Sequence, residues 1–394
     1  MEKLKEVEFF EALLAESKND LVEQAIENGR TAIGYNCCMV PYPLLNVGNL
    51  FPVHLRAPEV DSTDQADFYM SNFNCSYSRS ILEAGLKGCY DWVGGIVFAA
   101  SCIHTQRVEH NLRLEGVNGG KKPYLSYVID TPRKNFEASI TALASDLRTL
   151  AGALAQTYGV DVSEAVVAKS IKEYNKFNKL LKGIADMRKG DAPFITGAEL
   201  HAVVAACQVA PHDMLVKPLR DLKAALEKRG PLDVDGPRVM VMGARIDEPA
   251  FIQLIEDQGC FVAADRFCFG SLPGLEPIQE KGDPYINLAK HFMDYSECPR
   301  MMCETDKRME HAFGWVDEYG CDGIVLEVMK FCDLWGWEAV KVQEEAATRG
   351  IPVVRFEREY HLSGEGQLQT RIQAFIESLD AHALDAAAAK KQEA

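Results

Sequence analysis

Two groups of four short apolar runs, separated by a long stretch of helical periodicity, constrain the fold of this 394-residue chain more than any other feature. Each run has the length of a buried strand, and helical patterns lie between many of them. Such alternation is typical of an α/β fold with parallel sheets. The predicted strands are 31–36, 51–57, 94–101, 123–130, 238–243, 260–265, 322–329 and 351–357.

The chain is too long for one hydrophobic core, so we expect two α/β domains joined by a helical segment. Apolar residues in the middle of the chain recur at helical spacing. Thr196 and Glu199 have the spacing of a capping box, which predicts a helix start there. The predicted parts are an N-terminal α/β domain (1–132), a helical connecting segment (133–229), a C-terminal α/β domain (230–385) and a frayed tail (386–394).

The remaining helices are predicted from apolar periodicity and from residues that start or stop helices. Residues 1–29 are predicted to form an amphipathic helix that ends at Gly29, and Asp247 is predicted to cap a helix that ends near Gly259. Further helices are predicted after Cys75, around 305–319, from Cys332 to Gly350, and over 368–379.

The net charge of -16 argues against a nucleic-acid partner, because the chain has no basic surplus to neutralise phosphates. No uncharged apolar stretch approaches about 18 residues, so we expect no membrane span. The charged N-terminus lacks the apolar core of a signal peptide, which predicts a cytoplasmic protein. In that compartment the 12 cysteines are expected to serve metal binding, catalysis or packing rather than disulfides.

Three cysteines are placed where a metal cluster could be held. Cys102 and Cys332 follow predicted strands, and Cys75 opens a helix-like stretch. Ligands of open α/β sheets collect beyond the carboxyl ends of strands, and a helix N-terminus favours the thiolate form of cysteine. The three thiolates are therefore predicted to converge and to leave one metal position open. No C-x-x-C pair is present, and three buried cysteines near strand ends remain an alternative.

A short internal similarity links the two predicted domains. The segments "GGIVFAASC" and "DGIVLEVMKFC" both run from Gly-Ile-Val through mostly apolar residues to cysteine. This similarity suggests two related α/β layers that face each other with their cysteines in the gap. The alternative is that buried strands resemble one another by chance.

The chain resembles the 2-hydroxyacyl-CoA dehydratase and benzoyl-CoA reductase family, and in particular the smaller, β-type subunit of the dehydratases. The resemblance rests on "AIGYNCCMVPYPLLNVGNLFPVHL", "NCSYSRSILEAGLKGCYDWVGGIVFAASC", "DGIVLEVMKFCD" and "GQLQTRIQAFIESL". It implies two flavodoxin-like domains and a [4Fe–4S] cluster between them. The cluster ligands it implies are Cys75, Cys102 and Cys332.

The resemblance also implies a reaction and partners. The chain would be an iron–sulfur subunit of an anaerobic enzyme that eliminates water from a 2-hydroxyacyl-CoA through a ketyl radical. It would pair with a larger homologous subunit and receive electrons from an ATP-hydrolysing iron–sulfur activator. Leu44, Ile103 and Leu334 stand where the family usually carries acidic or polar residues. These apolar replacements favour an electron-relay role over substrate binding.

Five further residues are predicted to line the pocket beside the cluster, with packing or a solvated loop as the alternative. They are Asn36, Cys37, Cys38, His104 and Cys268. Neither a G-x-G-x-x-G nor a Walker A sequence occurs, so we expect no nucleotide site of the usual kinds. Two other functions stay open: a subunit of an ATP-dependent acyl-CoA or small-molecule reductase, and a non-catalytic scaffold that holds zinc or no metal.

Overall fold

The computed structural model describes residues 3–116, 120, 122–268, 275–294, 298–361 and 364–393, with side chains described as far as 381. Within these residues the strands form two four-stranded parallel sheets with helices around them. The predicted α/β fold with two sheet domains is therefore confirmed. No helix in the described ranges is long and apolar enough to span a bilayer.

The N-terminal sheet contains strands β1 to β4 in the order β2-β1-β3-β4, and every neighbouring pair is parallel. Strands β2 and β3 are buried along their whole length, as expected for a parallel sheet covered on both faces. Their bounds are Thr31–Tyr35 (β1), Leu50–His54 (β2), Gly95–Ala99 (β3) and Leu125–Ile129 (β4).

The C-terminal sheet repeats this arrangement with the order β6-β5-β7-β8, again all parallel. The order is the start of the flavodoxin-like pattern, in which ligands bind where the strand order reverses. Strands β3 and β7, which carry the similar Gly-Ile-Val segments, occupy equivalent positions in the two sheets. The bounds are Arg238–Met242 (β5), Phe261–Arg266 (β6), Gly323–Met329 (β7) and Val353–Arg358 (β8).

The stretch between the sheets is helical, as predicted. Thr196 and Glu199 make both hydrogen bonds of a capping box at the start of one of these helices, which confirms that prediction. This helix packs against β6 on one side and against the N-terminal helix on the other, so the segment contacts both halves. The helices are α6 (Glu137–Tyr158), α7 (Glu164–Ala185), α8 (Gly197–Ala206) and α9 (His212–Arg229).

The prediction of one helix over 1–29 is wrong, because two short helices, Lys5–Ala12 (α1) and Asp20–Glu27 (α2), occupy this region. The break lies at Asn19, whose side-chain oxygen accepts a hydrogen bond from the Val22 N–H at 3.1 Å and so caps α2. Its amide group also donates to the carbonyl oxygen of Val209 at 2.9 Å. A buried polar side chain with these partners is more stable at a cap than inside a helix.

The predicted cap at Asp247 is also wrong. Helix α10 (Pro249–Glu256) begins two residues later, and no side chain caps it. Proline at the first helical position has the required φ and needs no capped N–H. The Asp247 carboxylate instead accepts a hydrogen bond from the Tyr360 hydroxyl in the interior.

The other helices cover the sheets. They are α3 (Tyr42–Leu45), α4 (Ser76–Leu86), α5 (Ile103–Glu115), α11 (Pro284–Asp294), α12 (Thr305–Glu318), α13 (Asp333–Arg349) and α14 (Glu365–Glu393). One continuous hydrophobic core includes Phe98 from the first sheet and Met240 and Leu326 from the second. The two halves are therefore packed directly against each other, with the carboxyl ends of their central strands near the junction.

Candidate functional site

Each of the three predicted cluster ligands occupies the N-cap position of a helix. Cys75 precedes α4, Cys102 precedes α5 and Cys332 precedes α13. Cys102 and Cys332 lie three residues beyond the ends of β3 and β7, so the topology presents them in the same way. The positive end of a helix dipole stabilises a thiolate, and here three helices present that end to a cysteine.

Contacts between the flanking residues bring the three cysteines into one neighbourhood. The backbone N–H of Cys75 donates to Nδ1 of His104, two residues past Cys102, at 3.4 Å. Across the two halves, the rings of Phe73 and Phe331 meet edge to face with centroids 5.5 Å apart. Two segments of one half and one segment of the other therefore meet at the junction.

The turn before Cys332 has an unusual backbone. Phe331 adopts a φ of 62°, in the left-handed region that residues with a side chain rarely adopt. This conformation costs on the order of 1 kcal/mol or more. Such strain persists where the surrounding structure holds it in place, and here it turns the chain so that Cys332 starts α13.

Burial, neighbouring thiols and nearby hydroxyl groups all change the pKa values of the three cysteines. Burial, together with the charge of Cys102, raises the pKa of the Cys75 thiol to about 11. Burial also raises the pKa values of Cys102 and Cys332. The hydroxyl groups of Ser78 and Thr105, which contact Cys75 and Cys102 at 3.2 and 3.4 Å, oppose this rise. Three thiolates in this place repel each other and require positive charge between them.

A bound metal would supply this positive charge. Metal ions lower the pKa of a coordinating thiol enough to deprotonate it, which removes the cost of burial and repulsion. In the described residues no three ligating side chains close around a single metal ion. Each cysteine of an iron–sulfur cubane binds a different iron, so its ligands stand farther apart than those of one ion.

The residues after β1 form a second set of thiols and amides. The Asn36 side-chain oxygen accepts a hydrogen bond from the Ala99 N–H at 2.9 Å and joins the ends of β1 and β3. A hydrogen bond from the Cys38 thiol lowers the pKa of Cys37 to about 6 and raises that of Cys38. The sulfur of Cys37 also accepts a hydrogen bond from the Met39 N–H at 3.5 Å.

A cavity of about 130 Å³ lies beside these residues. Four cysteines on its wall are Cys38, Cys207, Cys268 and Cys298, and Trp335 connects it to the helix that starts at Cys332. Most of the remaining wall is aromatic or apolar. Besides Trp335, the aromatic residues are Tyr35, Tyr42, Tyr174, Phe177, His212, Phe267, His291 and Phe292.

His212 illustrates the apolar character of this wall. Its ring is stacked between those of Tyr42 and Phe177, with centroids 3.8 and 3.6 Å away. Burial lowers the pKa of His212 to about 3, so the ring is neutral. Its Nε2 lies 3.1 Å from the carbonyl oxygen of Cys207, to which a neutral ring donates.

Only some of the predicted pocket residues line the cavity. Cys38 and Cys268 line the cavity, whereas His104 lies next to Cys75 and Asn36 bridges two strands. The prediction did not include Cys298, Trp335 or His212. Trp335 could have been found from its place three residues after Cys332, on the first turn of the helix, but the other two have no signal in the local sequence.

The apolar replacements noted in the sequence lie in different environments. Leu44 is fully buried in a hydrophobic core, and Ile103 is 68% exposed on the surface. Leu334 is half-buried beside Cys332. Of the three, only Leu334 combines partial burial with a place next to a candidate ligand.

The fold and the convergent cysteines define an α/β protein with a candidate metal centre between two similar halves. The family model described as 2-hydroxyglutaryl-CoA dehydratase, D-component, matches residues 37–379. The chain belongs to this family, which confirms the recognition from sequence.

Several relatives match nearly the whole chain. The lactoyl-CoA dehydratase subunit beta of Anaerotignum propionicum is 20% identical over 366 residues, which cover 93% of this chain and 96% of that protein. The (R)-phenyllactyl-CoA dehydratase beta subunit of Clostridium sporogenes is 22% identical over 370 residues, covering 94% and 97%. One of the benzoyl-CoA reductase subunits of Thauera aromatica is 22% identical over 348 residues, covering 86% and 88%. The names agree with the predicted β-type subunit of an enzyme complex.

Proposed function

We propose that this chain is an iron–sulfur subunit of an anaerobic 2-hydroxyacyl-CoA dehydratase and that Cys75, Cys102 and Cys332 hold a [4Fe–4S] cluster. The observation that carries this proposal is the position of all three cysteines at helix N-termini around one junction, in a chain of the dehydratase family. The N-terminal half contributes two of the ligands and the C-terminal half contributes the third. Three thiolates leave one iron of the cluster without a cysteine ligand.

The reaction explains why such a site is needed. The β-proton of a 2-hydroxyacyl-CoA is far less acidic than any side-chain base can accept, since the strongest of these has a pKa of about 10–13. When bound, the cluster supplies one electron at low potential, and iron–sulfur potentials reach down to about −700 mV. One electron on the thioester carbonyl gives a ketyl radical, from which hydroxide leaves. The β-proton then becomes acidic, and the electron is returned, so that water is eliminated without net redox change.

Within this reaction we assign the chain the electron-relay role. The described lining of the adjacent cavity is mostly aromatic rings, aliphatic side chains and thiols. Its polar side chains include Asn178, Gln208 and Arg266, but no aspartate or glutamate. It therefore offers no carboxylate base beside a leaving hydroxide, whereas a relay needs only a shell that holds a steady potential. The half-buried Leu334 beside Cys332 agrees with such a shell.

Partners are proposed from the surface around the cysteines. Exposed apolar side chains flank them: Phe73, Ile103 and Phe331 are 76%, 68% and 40% exposed. A contiguous apolar surface is typical of a protein interface, and a partner that covers it would exclude water from the cluster. The proposed partners are a larger homologous subunit and an ATP-hydrolysing iron–sulfur activator, in the cytoplasm, with an acyl-CoA as substrate.

The test is an iron and sulfide analysis of protein purified without oxygen. Wild-type protein is expected to hold about four irons and four sulfides per chain. Cys75→Ser, Cys102→Ser and Cys332→Ser should each sharply reduce both. Cys207→Ser, at a buried cysteine of the cavity wall that is not a proposed ligand, should reduce neither. Full iron content in all three single variants would refute the ligand assignment.

A second assay separates the dehydratase from the reductase. The complex reconstituted with its partner and activator is offered a 2-hydroxyacyl-CoA and an aromatic acyl-CoA. Dehydration of the first supports the proposal, and reduction of the second in its place would favour the reductase. The isolated chain is expected to show neither activity.

A further inference from the structure

A buried arginine occupies the centre of the junction between the two halves. Arg245 follows β5 at its carboxyl end, and only 6% of its surface is exposed. One guanidinium nitrogen donates to the carbonyl oxygen of Asn36 at 2.8 Å, and both terminal nitrogens lie within 3.3 Å of the His54 ring nitrogens. The cation of the second half therefore reaches the strand ends of the first half.

Arg245 contacts two residues that are close in sequence to cysteines of the site. Asn36 immediately precedes Cys37, and the guanidinium carbon lies 4.0 Å from the centre of the Tyr77 ring, two residues after Cys75. Burial raises the pKa of the Cys75 thiol to about 11 and that of Cys268 to about 11, and the charge of Arg245 opposes both shifts. Its charge therefore acts on one candidate ligand and on one cysteine of the cavity wall.

The Asp247 carboxylate accompanies this cation at longer range. Oδ1 of Asp247 lies 3.8 Å from Arg245, and Oδ2 lies 3.9 Å from Nε of Arg56. The Asp247 side chain is also the acceptor of the Tyr360 hydroxyl. These three charged groups are all nearly fully buried, so water screens their fields only weakly.

We propose that Arg245 and Asp247 act as positioning residues of opposite sign that set the reduction potential of the cluster. This inference rests on the proposed function. A cluster bound by three thiolates gains one negative charge when it is reduced. A buried cation nearby stabilises the reduced form and raises the potential, while a buried anion does the reverse. Arg245 also fixes the backbone before Cys37 and the ring after Cys75, so its charge stays at a constant place.

The experiment is a redox titration of the loaded protein, followed through the paramagnetic signal of the reduced cluster. Arg245→Met should lower the potential so that the reduction equilibrium falls about tenfold, which is about 59 mV for one electron. Arg245→Lys keeps the charge and should stay near the wild type. Asp247→Asn keeps the shape of the side chain and should raise the potential. Lys223→Met, an exposed residue on α9, changes the net charge equally and should shift nothing.

Opposite shifts in the Arg245→Met and Asp247→Asn variants would support the inference, because damage to the fold cannot produce both signs. If Arg245→Met fails to load iron, the shift in Asp247→Asn decides the question alone. Loaded variants with wild-type potentials would overturn the inference and leave the cluster assignment intact. Wild-type protein without iron would refute the proposed function, and the inference with it.

Discussion

The buried ion pair of Arg308 and Glu338 ties the helix that starts at Cys332 to the rest of the C-terminal half. Nε and one terminal nitrogen of Arg308 donate to the two carboxylate oxygens at 2.6 and 2.9 Å. Both side chains are at most 5% exposed. The same arginine donates to the carbonyl oxygen of Met301 at 2.8 Å. The pair thus connects α12, α13 and the segment before α12.

Arg308→Met removes the cation and leaves the Glu338 carboxylate buried without these donors. Breaking one side of a buried pair costs about 3–5 kcal/mol, and we expect a loss in the upper half of that range because the Met301 carbonyl also loses its donor. The double variant Arg308→Met, Glu338→Leu has no buried charge at the site. It should be only about 1–2 kcal/mol less stable than the wild type.

The assay is urea unfolding of the four cluster-free proteins of this cycle, in the presence of reductant. The coupling energy between the two sites is the loss of unfolding free energy in the double variant minus the sum of the losses in the two single variants. Lys341→Met, on the same helix, breaks an exposed pair with Glu344 and serves as the control that should not change the free energy of unfolding. The reasoning is refuted if Arg308→Met unfolds like the wild type or if the single losses simply add.

Two further predictions concern the reactivity of Cys37 and the space around two glycines. Alkylation of the cluster-free protein, followed by peptide mass spectrometry, should have a rate at Cys37 that rises with pH and levels off above its pKa of about 6. Cys38→Ala removes the hydrogen bond that lowers this pKa, so the rise should move to higher pH; an unmoved profile would contradict it. Gly243→Ala would place Cβ 2.8 Å from the backbone oxygen of Glu327 and should cost about 1–3 kcal/mol in urea unfolding. Gly314→Ala, in open space on α12, should instead stabilise the protein by about 0.5–1 kcal/mol; equal effects would refute the steric argument.

Most strands and many helices could be predicted because their signals are local. Strand β3 is an uninterrupted apolar run and β7 is apolar apart from Glu327, and the structure finds them at Gly95–Ala99 and Gly323–Met329, inside the predicted ranges. The capping box at Thr196 depends on two residues of one helical turn. Apolar periodicity and capping depend on residues that are close together in the sequence, so they can be recognised without knowing the distant parts of the chain.

The errors occurred where a polar residue has a distant partner. Asn19 breaks the N-terminal helix because its amide reaches Val209, and Asp247 leaves its expected cap because Tyr360 offers a buried hydroxyl. Local patterns cannot show these partners, since each pair is separated by more than a hundred residues. The free energy of burying a hydrogen-bonded polar group outweighs the weaker preference for a local cap.

The sequence by itself determined most of the elements, the α/β class and the three cysteines that follow strands or open a helix. Only the tertiary structure decided that all three cysteines begin helices at one junction, that Cys298, Trp335 and His212 share a cavity wall, and that Arg245 contacts Asn36 and Tyr77 near the thiols. The physical reason is that a strand or helix depends on a few neighbouring residues. A buried charge and a cavity, by contrast, depend on which sheet edges the packing of two separate halves brings together.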